Sequence, residues 1–80
     1  MLAAHAKDRI VVNPKICHGK PTIQGTRTPV AVILSHLAGG DSFEAVQQQY
    51  DLTADDIRAC IAFANDELSR MTFAPTVTAG

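Results

Sequence analysis

The chain has 80 residues, of which 46% are hydrophobic and 19% charged, and its formal net charge at pH 7 is −1. This length accommodates one small domain, which excludes a multidomain enzyme. Because 12 of the apolar residues are Ala, the core is predicted to be small, so we expect stability to depend on close helix packing or on association with another chain.

The first predicted elements are two short strands. Residues 9–12 are rich in β-branched side chains and are followed by the turn pair Asn13-Pro14, and residues 22–27 alternate between apolar and polar side chains. Within the second strand, Gly25 is expected to mark a bulge or a close backbone approach. The two strands together predict a short β-hairpin.

A first helix is predicted to follow the hairpin directly. Thr28 is expected to cap it with its side chain, and Pro29 suits the first helical position, where no N–H is needed. Gly39-Gly40 is expected to end it in a left-handed cap. Its apolar side chains recur at helical spacing and predict one buried stripe, made of Val30, Ile33, Leu34 and Leu37.

Two more helices are predicted in the second half of the chain. Asp41 or Ser42 is expected to cap the second helix, whose inner face carries Phe43, Val46 and Tyr50. Residues 53–56 resemble a capping box with Asp56 in place of Glu, so the third helix is predicted to begin there and to run to about Arg70. Its predicted buried stripe consists of Ile57, Ile61, Ala64 and Leu68.

These elements predict a mainly α fold, in which a short β-hairpin precedes a three-helix domain. The brief connection Asp51-Leu52 between the second and third helices is typical of a helix-turn-helix. We expect a flexible N-terminus over residues 1–8, a single domain over residues 9–70 and a flexible C-terminal tail over residues 71–80. Residues 59–64 are apolar on every side of the third helix, so this helix is either central or has a second partner.

Charge is divided unevenly along the chain. Residues 1–40 carry five cations and one anion, a net +4, whereas residues 41–80 carry two cations and seven anions, a net −5. The division favours one surface for phosphates and another for basic partners. Alternatively, a compact fold interleaves these charges and neither surface keeps a net sign.

The candidate nucleic-acid contacts are cations. In a helix-turn-helix the start of the third helix would enter the major groove, but Asp55 and Asp56 would then face the phosphates. The hairpin region offers a better phosphate-binding surface, although its Gly, Thr and Lys residues also suit ordinary turns and strand edges. The predicted DNA contacts are Arg9, Lys15, Lys20, Arg27 and Arg58.

The sequence gives little support for catalysis or metal binding. Cys17 and His18 are adjacent, and no C-x-x-C or paired-His spacing completes a metal site around them. His36 is expected at the edge of the core. We therefore predict no enzyme activity, no metal and no cofactor. No segment is apolar enough to span a membrane, and two unpaired thiols suit a reducing cytoplasm.

Three motifs in order resemble a known bacterial family, the domain of unknown function 433 (DUF433). They are Gly19-Lys20-Pro21, Gly25-Thr26-Arg27 and residues 52–57. The resemblance covers about residues 9–68 and implies a homeodomain-like fold in an antitoxin-like protein, whose partner is a PIN-like ribonuclease. Members often have Arg in place of Gln24 and Pro in place of Asp51, so Gln24 weakens the case for hairpin–phosphate contacts.

The leading functional hypothesis is therefore an antitoxin that blocks the cationic RNA groove of a PIN-like ribonuclease and represses its own operon as a homodimer on DNA. The third helix and the tail are expected to bind the partner through Phe63, Asp66, Glu67, Met71 and Phe73. Two alternatives remain open. One is a stand-alone helix-turn-helix DNA-binding regulator, and the other is a homo-oligomerisation module that pairs through residues 59–64.

Overall fold

The computed structural model describes residues 9–71 and shows a two-stranded antiparallel hairpin followed by three helices. The elements are β1 (Ile10–Val11), β2 (Thr22–Ile23), α1 (Val30–Ala38), α2 (Phe43–Tyr50) and α3 (Ala54–Arg70). A single 3₁₀ turn, Cys17–Gly19, lies between the strands. The mainly helical fold with a preceding hairpin is thereby confirmed. The predicted tails lie outside the described residues, apart from Met71.

The hairpin is shorter than predicted. Ile10 pairs with Ile23 and Val11 with Thr22. The predicted second strand, residues 22–27, ends at Ile23 because the chain turns back there: the Thr26 N–H and hydroxyl both donate to the Ile23 carbonyl, at 3.0 and 2.7 Å. Gly25 has a φ of 81° within this turn, so it serves a turn rather than a strand bulge.

The start of α1 differs from the predicted cap. Pro29, and not Thr28, occupies the N-cap position, and no side chain caps the helix. Instead, the backbone of Thr28 joins the hairpin, since its N–H donates to the Thr26 hydroxyl and its carbonyl accepts from the Ile23 N–H. The Val30 N–H, which a cap would satisfy, donates to the Pro21 carbonyl at 2.9 Å. Tertiary contact thus replaces the local cap.

The connection between α1 and α2 is formed by a glycine cap, a serine cap and a chain of polar contacts. Gly40 takes a φ of +100° after α1, as the Gly39-Gly40 prediction requires. Of the two predicted caps for α2, Ser42 accepts from the Ala45 N–H at 3.1 Å. Asp41 instead accepts from His36 Nδ1 at 2.7 Å, and His36 Nε2 lies 2.8 Å from the Tyr50 hydroxyl. This chain of polar contacts joins α1 to both ends of α2.

The core lies between the hairpin and the first halves of the helices. Its buried members are Ile23, Val30, Ile33, Val46, Leu52, Ile57 and Cys60. Five half-buried side chains of α1, α2 and α3 pack against them, namely Leu34, Leu37, Phe43, Tyr50 and Phe63, and Ile10 of β1 does so too. The stripe predicted for α1 and the inner face predicted for α2 therefore do contribute to the core.

The stripe predicted for α3 is wrong beyond its first member. Ile57 is fully buried, but Ile61 is 42% exposed and Leu68 is 55% exposed. Cys60 and Phe63 contribute to the core instead. Ile61 is exposed because the core-facing side of α3 carries Cys60 and Phe63, which flank it in sequence. The exposure of Leu68 follows from length: α3 has 17 residues, whereas α1 has 9 and α2 has 8, so α3 continues past the elements that cover it. After Cys60, no residue through Met71 is buried.

Candidate nucleic-acid and partner interfaces

The connection between the strands is a tightly turned segment. We call residues 13–21, together with Arg27, the basic loop. Within it the N–H groups of Ile16, Gly19 and Lys20 each donate to the carbonyl three residues earlier, at 2.9 to 3.1 Å. The Cys17 thiol donates to the Arg27 carbonyl across 3.4 Å, which ties the two parts of the loop together.

The backbone of the basic loop is strained at consecutive residues. Cys17, His18 and Gly19 all have positive φ angles, of 50°, 56° and 82°. Only Gly19 adopts this region without cost, whereas Cys17 and His18 each pay about 1–2 kcal/mol. The surrounding hydrogen bonds therefore hold one loop conformation against a local preference. No sequence pattern used above predicts this turn or the thiol contact.

Three of the five predicted DNA contacts lie in the basic loop. Lys15, Lys20 and Arg27 are exposed, and within residues 9–71 none of them forms an ion pair. Their positive charge is therefore uncompensated and directed at solvent. Exposed cations of this kind can contact phosphates.

The other two predicted DNA contacts, Arg9 and Arg58, are engaged at the start of α3. Arg9 Nη1 lies 3.0 Å from Asp56 Oδ1, and its Nη2 lies 3.9 Å from Asp55 Oδ2. Arg58 Nη1 is 2.9 Å from Asp55 Oδ1. The charges at this end of α3 therefore cancel in part, which weakens its electrostatic attraction for a phosphate. The basic and acidic halves of the chain are interleaved here.

The predicted capping box is present at the start of α3. The Thr53 hydroxyl accepts from the Asp56 N–H at 3.1 Å, and the Thr53 N–H donates to Asp56 Oδ2 at 3.0 Å. Burial acts to raise the pKa of Asp56, but the Thr53 backbone N–H, the Arg9 guanidinium and the Thr53 hydroxyl together outweigh it and lower that pKa below 3.8.

The lowered pKa of Asp56 makes stability sensitive to acid. The unfolded chain binds this proton at a higher pH than the folded chain does, so the contribution is complete above the unfolded value of 3.8 and is lost as the pH falls through the folded pKa. We expect the free energy of unfolding, measured by urea denaturation, to fall between about pH 5 and pH 3.

Substitution separates this contribution from general acid effects. Asp56→Asn is expected to be less stable than wild type at pH 7. Its free energy of unfolding is expected to fall less steeply than that of wild type between about pH 5 and pH 3. The control is Glu44→Gln, at an exposed position of α2, which is expected to keep the wild-type acid dependence. Equal acid dependence in wild type and Asp56→Asn would refute the assignment.

The predicted partner-binding residues lie on the second half of α3. Phe63 is half-buried and packs against the core. Arg70 pairs with both acidic candidates, with Asp66 at 2.9 Å and with Glu67 at 3.4 Å. Met71 is 55% exposed, and Phe73 lies outside the described residues. The helix end that carries these side chains has a net charge of −1.

An apolar face of α3 that the spacing predicts to be core lies largely at the surface, and it includes two residues of the run 59–64 for which a second partner is predicted. We call Ile61, Ala64, Leu68 and Met71 the α3 seam. Ala64 is half-buried, and the other three are exposed. The predicted core stripe contained Ile61, Ala64 and Leu68, but Cys60 and Phe63 occupy the core-facing side of α3 instead, and helical spacing alone does not distinguish the two sets.

Metal ligation and thiol reactivity depend on how the His, Cys, Asp and Glu side chains of residues 9–71 are placed. No group of three or more His, Cys, Asp or Glu side chains is placed to hold a metal ion within this range. Burial, with a smaller effect of the Asp56 charge, raises the pKa of Cys60 to about 11, so this thiol is un-ionised at neutral pH. In the same range, no helix has both the length and the apolar character needed to cross a membrane.

Comparisons with known proteins identify a family and a similar solved structure. The family described as "Protein of unknown function (DUF433)" matches residues 10–64. The X-ray crystal structure of Rv2018 from Mycobacterium tuberculosis is similar over 75% of this chain, with 30% sequence identity and a TM-score of 0.63. This chain covers 27% of that one, about a quarter of its length. No curated protein matches.

Proposed function

The chain belongs to the DUF433 family of proteins of unknown function, and on that premise we propose that it is an antitoxin-type protein of a bacterial toxin–antitoxin pair. It binds and neutralises a PIN-like ribonuclease in the cytoplasm and represses its own operon by binding DNA. The basic loop contacts DNA phosphates, and the second half of α3 contacts the ribonuclease.

One observation carries the ribonuclease-binding part of this proposal. From Ile61 to Arg70, α3 contains no buried residue, and this half of the helix has a net charge of −1 with exposed apolar side chains beside it. A nuclease presents a cationic groove to RNA, which an acidic and apolar helix can enter with favourable steering and burial. Asp66 and Glu67 supply the acidic contacts of this surface.

Inhibition of RNA cleavage tests ribonuclease binding. We expect a PIN-like ribonuclease encoded beside this gene to lose its activity when one equivalent of the chain is added. Glu67→Lys is expected to weaken inhibition by about tenfold, because it places a cation against the cationic groove. The matched control, Glu44→Lys on exposed α2, is expected to inhibit like wild type. Undiminished cleavage with excess wild-type chain would rule out this part.

A second candidate function, a stand-alone DNA-binding regulator, is favoured by a different observation. The cations without an ion pair among the described residues, Lys15, Lys20 and Arg27, all lie in the basic loop. This candidate shares the phosphate contacts with the antitoxin proposal and needs no ribonuclease. DNA binding together with undiminished ribonuclease activity would favour it.

A further inference from the structure

The α3 seam is the largest concentration of exposed apolar side chains in the described part of the chain. Among residues 9–71, four large hydrophobic side chains are substantially exposed. Three belong to the seam, at 42% for Ile61 and 55% each for Leu68 and Met71, and the fourth is Val12 of the hairpin region, at 59%. Ile61 and Leu68 lie on one face of α3, and Met71, the residue that ends the helix, follows Leu68 at helical spacing. Single exposed apolar residues are ordinary, whereas an aligned set marks an interaction surface.

The spacing of the seam is that of helix-on-helix packing. Ile61, Ala64, Leu68 and Met71 are separated by three, four and three residues, which matches alternating a and d positions of a heptad. Ile57, four residues before Ile61, continues the same register and is fully buried in the core. The seam therefore begins in register with the core and runs beside the side of α3 that carries Cys60 and Phe63, and this spacing suits packing against another helix.

We propose that a second copy of this chain covers the seam, with the two α3 helices packed antiparallel about a two-fold axis. In that arrangement an a position faces a d position of the other helix. Ile61 then faces Met71 of the partner subunit, and the small Ala64 faces Leu68 of the partner subunit. At the centre of the seam, the large Leu68 of each copy packs against the small Ala64 of the other. All four seam residues are then in contact with the partner, and the surface is complementary to itself.

The charges around the seam favour a second copy over a strongly charged partner. Asn65, on one edge, is neutral, and Glu67, on the other edge, lies 3.4 Å from Arg70 of its own chain. Asp66 is two residues from Leu68, about 200° around the helix, and so lies on the opposite side. Two copies of α3 can therefore approach through the seam without bringing uncompensated like charges together.

The size of the seam sets the strength of the dimer. Four side chains from each copy bury less than the roughly 1,200 Å² of a standard interface, so we expect a dissociation constant on the order of micromolar. The acidic side of α3 stays free for another protein. If the proposed DNA binding holds, the dimer presents two basic loops to one two-fold DNA site.

Analytical ultracentrifugation of the whole chain tests the dimer. Wild type is expected to be dimeric at about 100 μM and to dissociate on dilution. Leu68→Glu is expected to raise the dissociation constant at least about a hundredfold, since dimerisation would bury a carboxylate. The control is Val12→Glu, which changes an equally exposed residue on the hairpin and is expected to leave the dimer intact. Far-UV circular dichroism checks that both variants fold.

Each outcome decides the question. Loss of the dimer in Leu68→Glu but not in Val12→Glu supports the proposal. A monomeric wild type at about 100 μM, or a dimer that Leu68→Glu leaves unchanged, overturns it. If wild type is monomeric and a PIN-like ribonuclease binds wild type but not Leu68→Glu, the ribonuclease and not a second copy covers the seam. That outcome would leave the proposed function standing.

Discussion

Replacing Ile57 with Ala is expected to lower the free energy of unfolding by about 3 kcal/mol. Ile57 is fully buried where α3 meets the core formed by Val46, Ile33 and Ile23. Its truncation removes apolar burial and leaves a cavity that the rest of a small core cannot fill. Because a domain of this size is stable by only about 5 kcal/mol, the variant is expected to keep only about 2 kcal/mol. Urea denaturation followed by circular dichroism measures the loss.

Ile61→Ala is the matched control, since it makes the same change on the same helix. Ile61 is 42% exposed, so the expected loss is below about 1 kcal/mol. The comparison is made at a protein concentration below that of dimer formation, so that only folding contributes. Equal losses at the two positions would mean that the whole stripe predicted for α3 is buried, in contradiction to the structure.

Neutralising the basic loop is expected to produce the largest change in DNA binding. Lys15→Gln, Lys20→Gln and Arg27→Gln together remove three phosphate contacts, so the slope of log affinity against log salt should fall by about 3. At low salt the affinity for the region upstream of the gene is expected to drop by at least about a hundredfold. A gel-shift titration at several salt concentrations measures both quantities.

Arg58→Gln is the control for the basic loop, because it removes an exposed cation that is paired with Asp55. We expect it to change the salt slope by less than about one half. If Arg58→Gln matches the triple variant, the start of α3 and not the basic loop contacts DNA. If wild type fails to bind even at low salt, the DNA-binding part of the proposal is removed.

Local signals explain what the sequence predicted correctly. The capping box at Thr53 and Asp56 depends on residues three apart, and the Gly40 cap depends on one glycine, so neither needs knowledge of the rest of the fold. The order of elements follows from the same kind of signal. The hairpin, the three helices and the end of α3 at Arg70 were therefore accessible from the sequence.

Contacts between distant residues explain what the sequence predicted wrongly. Thr28 has the chemistry of a cap, but its backbone pairs with Ile23 and the Pro21 carbonyl satisfies the first N–H of α1. Ile61 and Leu68 have the spacing of core residues, but Cys60 and Phe63 occupy the core-facing side of α3 instead. Local propensity cannot rank such alternatives, because the competing partner lies elsewhere in the chain.

The candidate interfaces show the same division. The net charge of each half can be counted from the sequence. The ion pair between Arg9 and Asp56, which are 47 residues apart, cannot be predicted in that way. The basic loop emerged as the surface with uncompensated charge only after these pairs were known. Its strained turn at Cys17 and His18 could not be predicted locally, because positive φ is uncommon for Cys and the contact that holds Cys17 comes from the Arg27 carbonyl, ten residues away.

Native co-purification tests the central claim most directly. A tagged copy of this chain, expressed from its own locus together with the neighbouring gene, is expected to recover a PIN-like ribonuclease in a stable complex that does not cleave RNA. Recovery of the chain without any ribonuclease, from cells that demonstrably express the neighbouring gene, would contradict the antitoxin assignment.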